Sequence, residues 1–285
     1  MTIDWLHFTP LSALAGGGII GIAVALLLVF NGRIAGISGI TGGLLTPGGT
    51  EKAWRGAFLV GLLISPWLYR IAGPLPEMPV SGGSLWLMAA GLLVGLGTRL
   101  GADAPAATAY AAWRGWHRVR WLLRRYLCCW GLSPSGLSVT WQEAKTMFRI
   151  LFALLSGVIF GLGLIVAGMA NPAKVLAFLD ITGHWDPSLA LVMVGAIAVA
   201  APAFLWARRR QRTLLGETLL IPTNRRVDRR LLAGSALFGV GWGMAGICPG
   251  PAWVLAGAGS LPGCLFVVAM LVGMALYEFI MMRRK

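Results

Sequence analysis

The sequence predicts an all-α, multi-pass integral membrane protein made of two structural repeats of transmembrane helices with broken or re-entrant loops. Three observations carry this. Of 285 residues, 57% are hydrophobic and 12% charged, with a mean hydropathy of +0.76, a polarity too low to cover a soluble globule. Apolar runs of about 20 residues recur, the length that crosses a hydrocarbon core. Finally, the 24 Lys and Arg, against 10 Asp and Glu, cluster between those runs and not along one polar face. The net charge of +14 therefore reads as membrane topology, and no nucleic-acid partner is expected.

Taken in order, Leu11 to Phe30 is a first span, and Asn31 to Gly43 is a glycine-rich stretch too short to cross again, read as a re-entrant loop. Ala53 to Ala72 is a second span, with a kink at Ser65-Pro66. Ser84 to Leu100 is a third. From Ala102 to Thr146 the pattern changes, because Arg114, Arg118, Arg120, Arg124 and Arg125 alternate with Trp113, Trp116, Trp121 and Trp130. Each central Arg costs about 2.5 kcal/mol or more in a bilayer, so this tract is expected to lie at the interface as an amphipathic helix.

Met147 to Met169 spans next, and Ala170 to Asp186 is a second broken, apolar stretch of re-entrant character. Pro187 to Ala207 spans, and a basic loop runs from Arg208 to Arg230. Leu231 to Gly246 then enters a break, and Pro262 to Met282 is the last span before Arg283, Arg284 and Lys285. That makes seven full spans, with the basic loop and basic tail expected on the cytoplasmic side. The first ten residues hold no Lys or Arg, so no cleaved signal peptide is expected.

The layout repeats. Ala90 to Gly97 resembles Gly234 to Gly241, and each half reads as span, broken loop, span, span, broken loop. The second half adds a closing span, whose place in the first half is taken by the Arg/Trp tract. The units are 1–101, 102–146 and 147–285.

The four cysteines lack metal-binding spacing, and Cys128 and Cys129 are too close for an ordinary disulfide. Neither a metal nor a cofactor is expected. Cys248 stands apart because it sits in Cys248-Pro-Gly-Pro251, where prolines lacking N–H groups interrupt an apolar helix. Hydrocarbon tolerates interrupted backbone only where it is buried in protein or lines a polar cavity, so the break is a candidate binding site. Packing as a small hydrophobe is the competing reading for Cys248, and the expected one for Cys264.

Gly32-Arg-Ile-Ala-Gly-Ile-Ser-Gly39, Gly168-Met-Ala-Asn-Pro-Ala-Lys-Val175, Gly183-His-Trp-Asp-Pro-Ser188 and Gly243-Met-Ala-Gly-Ile-Cys-Pro-Gly-Pro251 carry a resemblance to the YeeE/YedE family of membrane transporters. The chain resembles both components of that family joined, as a first repeat (1–101) and a second repeat (147–285). The resemblance implies an hourglass-shaped helical fold in the bacterial inner membrane. It also implies transport of thiosulfate or a related small sulfur anion, not catalysis, with a TusA-like sulfur carrier as partner in some members. A membrane sulfur-transfer subunit that relays a persulfide to such a carrier is the alternative, as is a damaged transporter that moves nothing.

The damaged reading arises because family members continue after Gly-Thr-Arg-Leu-Gly with Gly-Cys-Thr-Ser-Gly-His-Gly-x-Cys-Gly, where this chain has Ala102 to Ala111. A shifted reading frame from Ala102 permits that motif. The atypical tract is accordingly read as frameshifted, returning to frame before Met147; an in-frame coding sequence with a matching intact mass would overturn this.

The expected substrate-binding set is Cys248 with Pro249, Gly250 and Gly246 at the break, Gly36, Ser38, Gly39 and Arg33 on the first loop, and Asn171, Pro172 and Lys174 on the second. Cys248 would contact sulfur, and loop N–H groups the oxygens. Each has a plainer reading. Arg33 and Lys174 either attract an anion or snorkel to headgroups. Gly36, Ser38 and Gly39 either bare backbone or permit close packing. Asn171-Pro172 serves as a helix cap and first helical residue. His184 and Trp185 are expected in the interfacial aromatic belt.

Overall fold

The computed structural model describes residues 2–4, 8–34, 36–45, 52–80, 82–101, 137–210, 213–216, 219 and 228–283. Of the tract 102–146, read as an interfacial helix and as frameshifted, residues 102–136 with Cys128 and Cys129 lie outside the described residues, and 137–146 is helical. Ten helices make up the described chain: α1 (Pro10–Leu26), α2 (Ile37–Leu45), α3 (Lys52–Ala72), α4 (Ser84–Gly101), α5 (Leu137–Val166), α6 (Pro172–Leu179), α7 (Ser188–Arg210), α8 (Arg229–Ala245), α9 (Pro249–Gly257) and α10 (Leu261–Arg283). The only strands among the described residues are β1 (Thr2–Ile3) and β2 (His184–Trp185), paired in parallel. His184 and Trp185 thus tie the start of the chain to the α6–α7 connection, and the Trp185 indole donates to the Phe178 carbonyl (3.0 Å).

Local chemistry sets the helix ends. Pro10 opens α1, where its missing N–H costs nothing. At α7 the Asp186 carboxylate accepts from the Ser188 N–H (2.9 Å) and hydroxyl (2.6 Å), capping the first turn. α3 continues through Pro66. Proline cannot donate to the Leu62 carbonyl, and the buried Ser65 hydroxyl donates to it instead (2.8 Å). α5 begins at Leu137, upstream of the expected Met147, and ends at Val166.

Five described helices have the length and apolarity to cross a membrane, and the bent pair α8–α9 makes six. The seventh expected span, α3, is not among them by this measure. Its 21 residues are long enough, but Lys52, Arg55 and Arg70 lie near its ends and Pro66 inside it, so it is less apolar than the others.

Helix directions follow from which glycines abut which backbone. A Cβ built on Gly163 or Gly16 would strike α1 or the end of α5, so those two run antiparallel. Gly17 and Gly21 meet Val192 and Ala196, making α1 and α7 parallel. Gly157 and Gly161 meet Phe58 and Ser65, making α3 parallel to α5. On the other side of the bundle Gly91 and Gly95 abut Phe266 and Met270 of α10, and Gly97 and Gly241 set α4 antiparallel to α8. Small residues are what let apolar helices approach closely where no hydrophobic force distinguishes protein from lipid.

Two cores result. One joins buried residues of α1, α3, α5 and α7, including Ile20, Phe58, Leu62 and Ile165. The other joins α4 and α10 with the end of α8, including Leu87, Phe266, Met270 and Met274. α9 belongs to both, giving Val254 to the first and Ala252 and Leu255 to the second.

Gly157→Val is expected to destabilise the protein by about 1–3 kcal/mol through overpacking against Phe58, whereas Gly56→Ala, with no atom within 4 Å, leaves stability unchanged or raised. Thermal unfolding of both variants in detergent, against wild type, checks this.

Candidate functional site

Three long helices end in the same way. α1 passes through a π-helical turn (Leu27–Asn31) to Gly32 at φ 67°, α5 ends near Gly168 at φ 71°, and α8 ends at Gly246 at φ 65°. Each left-handed glycine is followed within a few residues by a short helix: α2, α6 or α9. The left-handed region costs a residue with a Cβ roughly 1–2 kcal/mol, which is why glycine stands there. At α8 it is therefore Gly246, and not the prolines, that stops the helix. Pro249 instead opens α9 at its first position, and the two pieces are bent by 41°.

The three short helices meet at this break. Gly250 in the first turn of α9 abuts Ile37, the first residue of α2, along with Leu164 and Phe160 of α5. Gly246 abuts the Pro172 carbonyl and Leu176 of α6. Farther along, the Trp253 indole donates to the Thr41 hydroxyl (3.3 Å), joining α9 to α2. The N-terminal turns of α2, α6 and α9 are thereby gathered around Gly246 to Gly250. Helix N-termini carry partial positive charge and unbonded N–H groups, so their grouping favours an anion.

Cys248 is the half-buried N-cap residue of α9, and its carbonyl accepts from the Ala252 N–H (3.1 Å). Pro249 and Gly250 are buried beside it. Asn171 caps α6, its side chain accepting from the Ala173 N–H (2.9 Å), with buried Pro172 at the first helical position. Both cap readings of that pair therefore hold. On α2, Gly36 and Gly39 are exposed, a Cβ at either would meet nothing within 4 Å, and Ser38 is half-buried. Close packing therefore does not account for these two glycines.

Lys174 and Arg33 do not share a site. Lys174 is half-buried and donates to the Thr9 hydroxyl (2.7 Å) just before α1. Arg33 lies past the other end of that helix, about 33 Å away at 1.5 Å per residue along Pro10–Asn31. Cys264, expected as packing, is exposed on α10. No group of three or more metal-ligating side chains occurs among the described residues.

Two arginines that sequence reasoning passed over hold the far end of α2. The Arg99 guanidinium donates to the Gly42 carbonyl (3.1 Å) and pairs with Glu278 of α10, while the Arg55 guanidinium packs on Gly43. Cations at a helix C-terminus oppose its partial negative charge. The available signal was one cation and one acid standing alone near the ends of two apolar helices, a pattern that asks for a partner.

The described helices define a multi-pass, all-helical membrane protein with a broken helix at its centre. Residues 148–285 match a family described as a family of unknown function (DUF6691). A protein of Xylella fastidiosa (strain 9a5c) named "Probable transporter" is 46% identical over 136 residues, which are 47% of this chain and 93% of the relative. Another "Probable transporter", from Xylella fastidiosa (strain Temecula1 / ATCC 700964), is 46% identical over 88 residues, 30% of this chain and 64% of the relative. The chain belongs to the family of these probable transporters. No solved structure matches it.

Gly246→Ala is expected to cost about 1–2 kcal/mol for the left-handed backbone alone, with a further loss from the Pro172 carbonyl, 2.6 Å from the added Cβ. Gly239→Ala on the same helix, with open space around it, is the control. Denaturant unfolding in detergent reads the difference.

Proposed function

We propose that this protein transports thiosulfate or a related small sulfur anion across the bacterial inner membrane, along a path that passes the break at Cys248. The observation that supports it best is the gathering of three short-helix N-termini around Gly246 to Gly250. An anion crossing hydrocarbon must exchange its hydration for fixed donors, and half-helix N-termini supply these without a trapping charge. Cys248 stands at the N-cap of α9. A neutral thiol there offers terminal sulfur a weak donor and lets it leave again. Gly36, Ser38 and Gly39 would line the same path from α2, and the first and second repeats (1–101 and 147–285) would each contribute short helices to it.

Orientation follows from charge. The end of the bundle where α1, α4, α7 and α10 finish holds Arg33, Lys52, Arg55, Arg149, Arg208, Arg209, Arg210, Arg229 and Arg230, while the opposite end holds Asp4, Glu77, Asp180 and Asp186 against the cations Arg70 and Lys174. The positive-inside rule puts the basic end, and with it the C-terminus, in the cytoplasm and the N-terminus outside.

Cys248→Ala should abolish uptake of radiolabelled thiosulfate in cells while membrane protein level holds; unchanged uptake removes Cys248 from the path. Fused at the C-terminus, green fluorescent protein is expected to fluoresce and alkaline phosphatase to stay inactive, and the reverse pattern would invert the orientation.

A further inference from the structure

A cavity of about 240 Å³ opens at the less basic end of the bundle, between α1, α3, α5 and α6. Its lining includes Lys174, Asn171, Tyr69, Ser12, Gly168 and Glu77. The volume is below the roughly 300–1,000 Å³ of sites for drug-sized organic ligands, so it suits a small ion with some of its water. Charge decides the sign of that ion. Lys174 is half-buried, whereas Glu77 is exposed at the rim, and water and salt screen an exposed charge far more than one set into the protein.

The ammonium is also positioned. Thr9 takes one of its three donors at 2.7 Å, leaving two. Gly168 gives it room, since a Cβ there would stand 3.3 Å from Nζ. The N-terminus of α6 adds positive potential from the same side. The cavity also adjoins the break, because Asn171 in its wall is followed directly by Pro172, whose carbonyl abuts Gly246.

We propose that this cavity is a capture site for a small oxyanion, with Lys174 as its binding charge, distinct from the Cys248 break and feeding it. The proposal rests on the transport reading above, naming where the anion is first held. It commits the two lining charges to opposite effects. Lys174 attracts the ion and Glu77 repels it.

The test is calorimetric titration of the purified full-length protein in detergent with sodium thiosulfate and, separately, sodium sulfate. Lys174→Met is expected to weaken binding of both by about tenfold or more, Lys174→Arg to keep it, and Glu77→Gln to tighten it by about twofold. Wild-type affinity in Lys174→Met that elutes as a folded protein, weaker binding in Glu77→Gln, or no binding of either anion by wild type overturns the capture site. Cys248→Ala separates the two readings. Lost uptake with binding kept supports both, binding and uptake both kept overturns the Cys248 path and leaves the cavity standing, and lost binding shows that the cavity is not a separate site.

Discussion

An interrupted helix in an apolar bundle leaves backbone donors and acceptors that hydrocarbon cannot satisfy, and the surroundings of Gly246 to Pro249 answer that constraint. The Gly246 N–H bonds back to the Trp242 carbonyl (2.7 Å), closing the end of α8. Pro249 has no N–H to satisfy, and the Cys248 carbonyl takes the first bond of α9. Such a junction survives only if neighbours keep lipid away, which α6, α5 and α2 do by closing on Gly246 and Gly250. The same enclosure that protects the backbone brings first-turn residues of α2 and α6 against the two sides of the break.

Close enclosure needs backbones that can touch, so the glycine content and the broken helices are linked. Gly16 and Gly17 on α1, Gly91, Gly95 and Gly97 on α4, Gly157 on α5, and Gly234 and Gly241 on α8 sit where any side chain would strike a neighbouring backbone. Those on the exposed face of α2 do not, and their smallness serves something other than packing. Position within the bundle, and not residue type, separates the two uses.

Span positions were legible in the sequence because a 20-residue apolar run has few other readings. The ends of the spans were less so: the start of α5 lies among residues whose composition suggests a surface tract, and α3 carries arginines within its ends that dilute its apolar centre. At the break, the prolines drew notice, yet the decisive residue was Gly246, whose left-handed backbone has no compositional signature in a chain with 40 glycines. Lys174 was visible as a cation in an apolar stretch, while its partner Thr9 lies 165 positions away and the cavity around it draws on four helices. Local pattern carries helices; it does not carry which distant side chains converge.

α9 is shared between two cores that otherwise draw on different helices. Sliding one group of helices past the other therefore shears the segment that begins at Cys248, and holding that segment still locks the two groups together. The break acts as a linchpin. A substitution at the start of α9 therefore bears on both groups of helices at once.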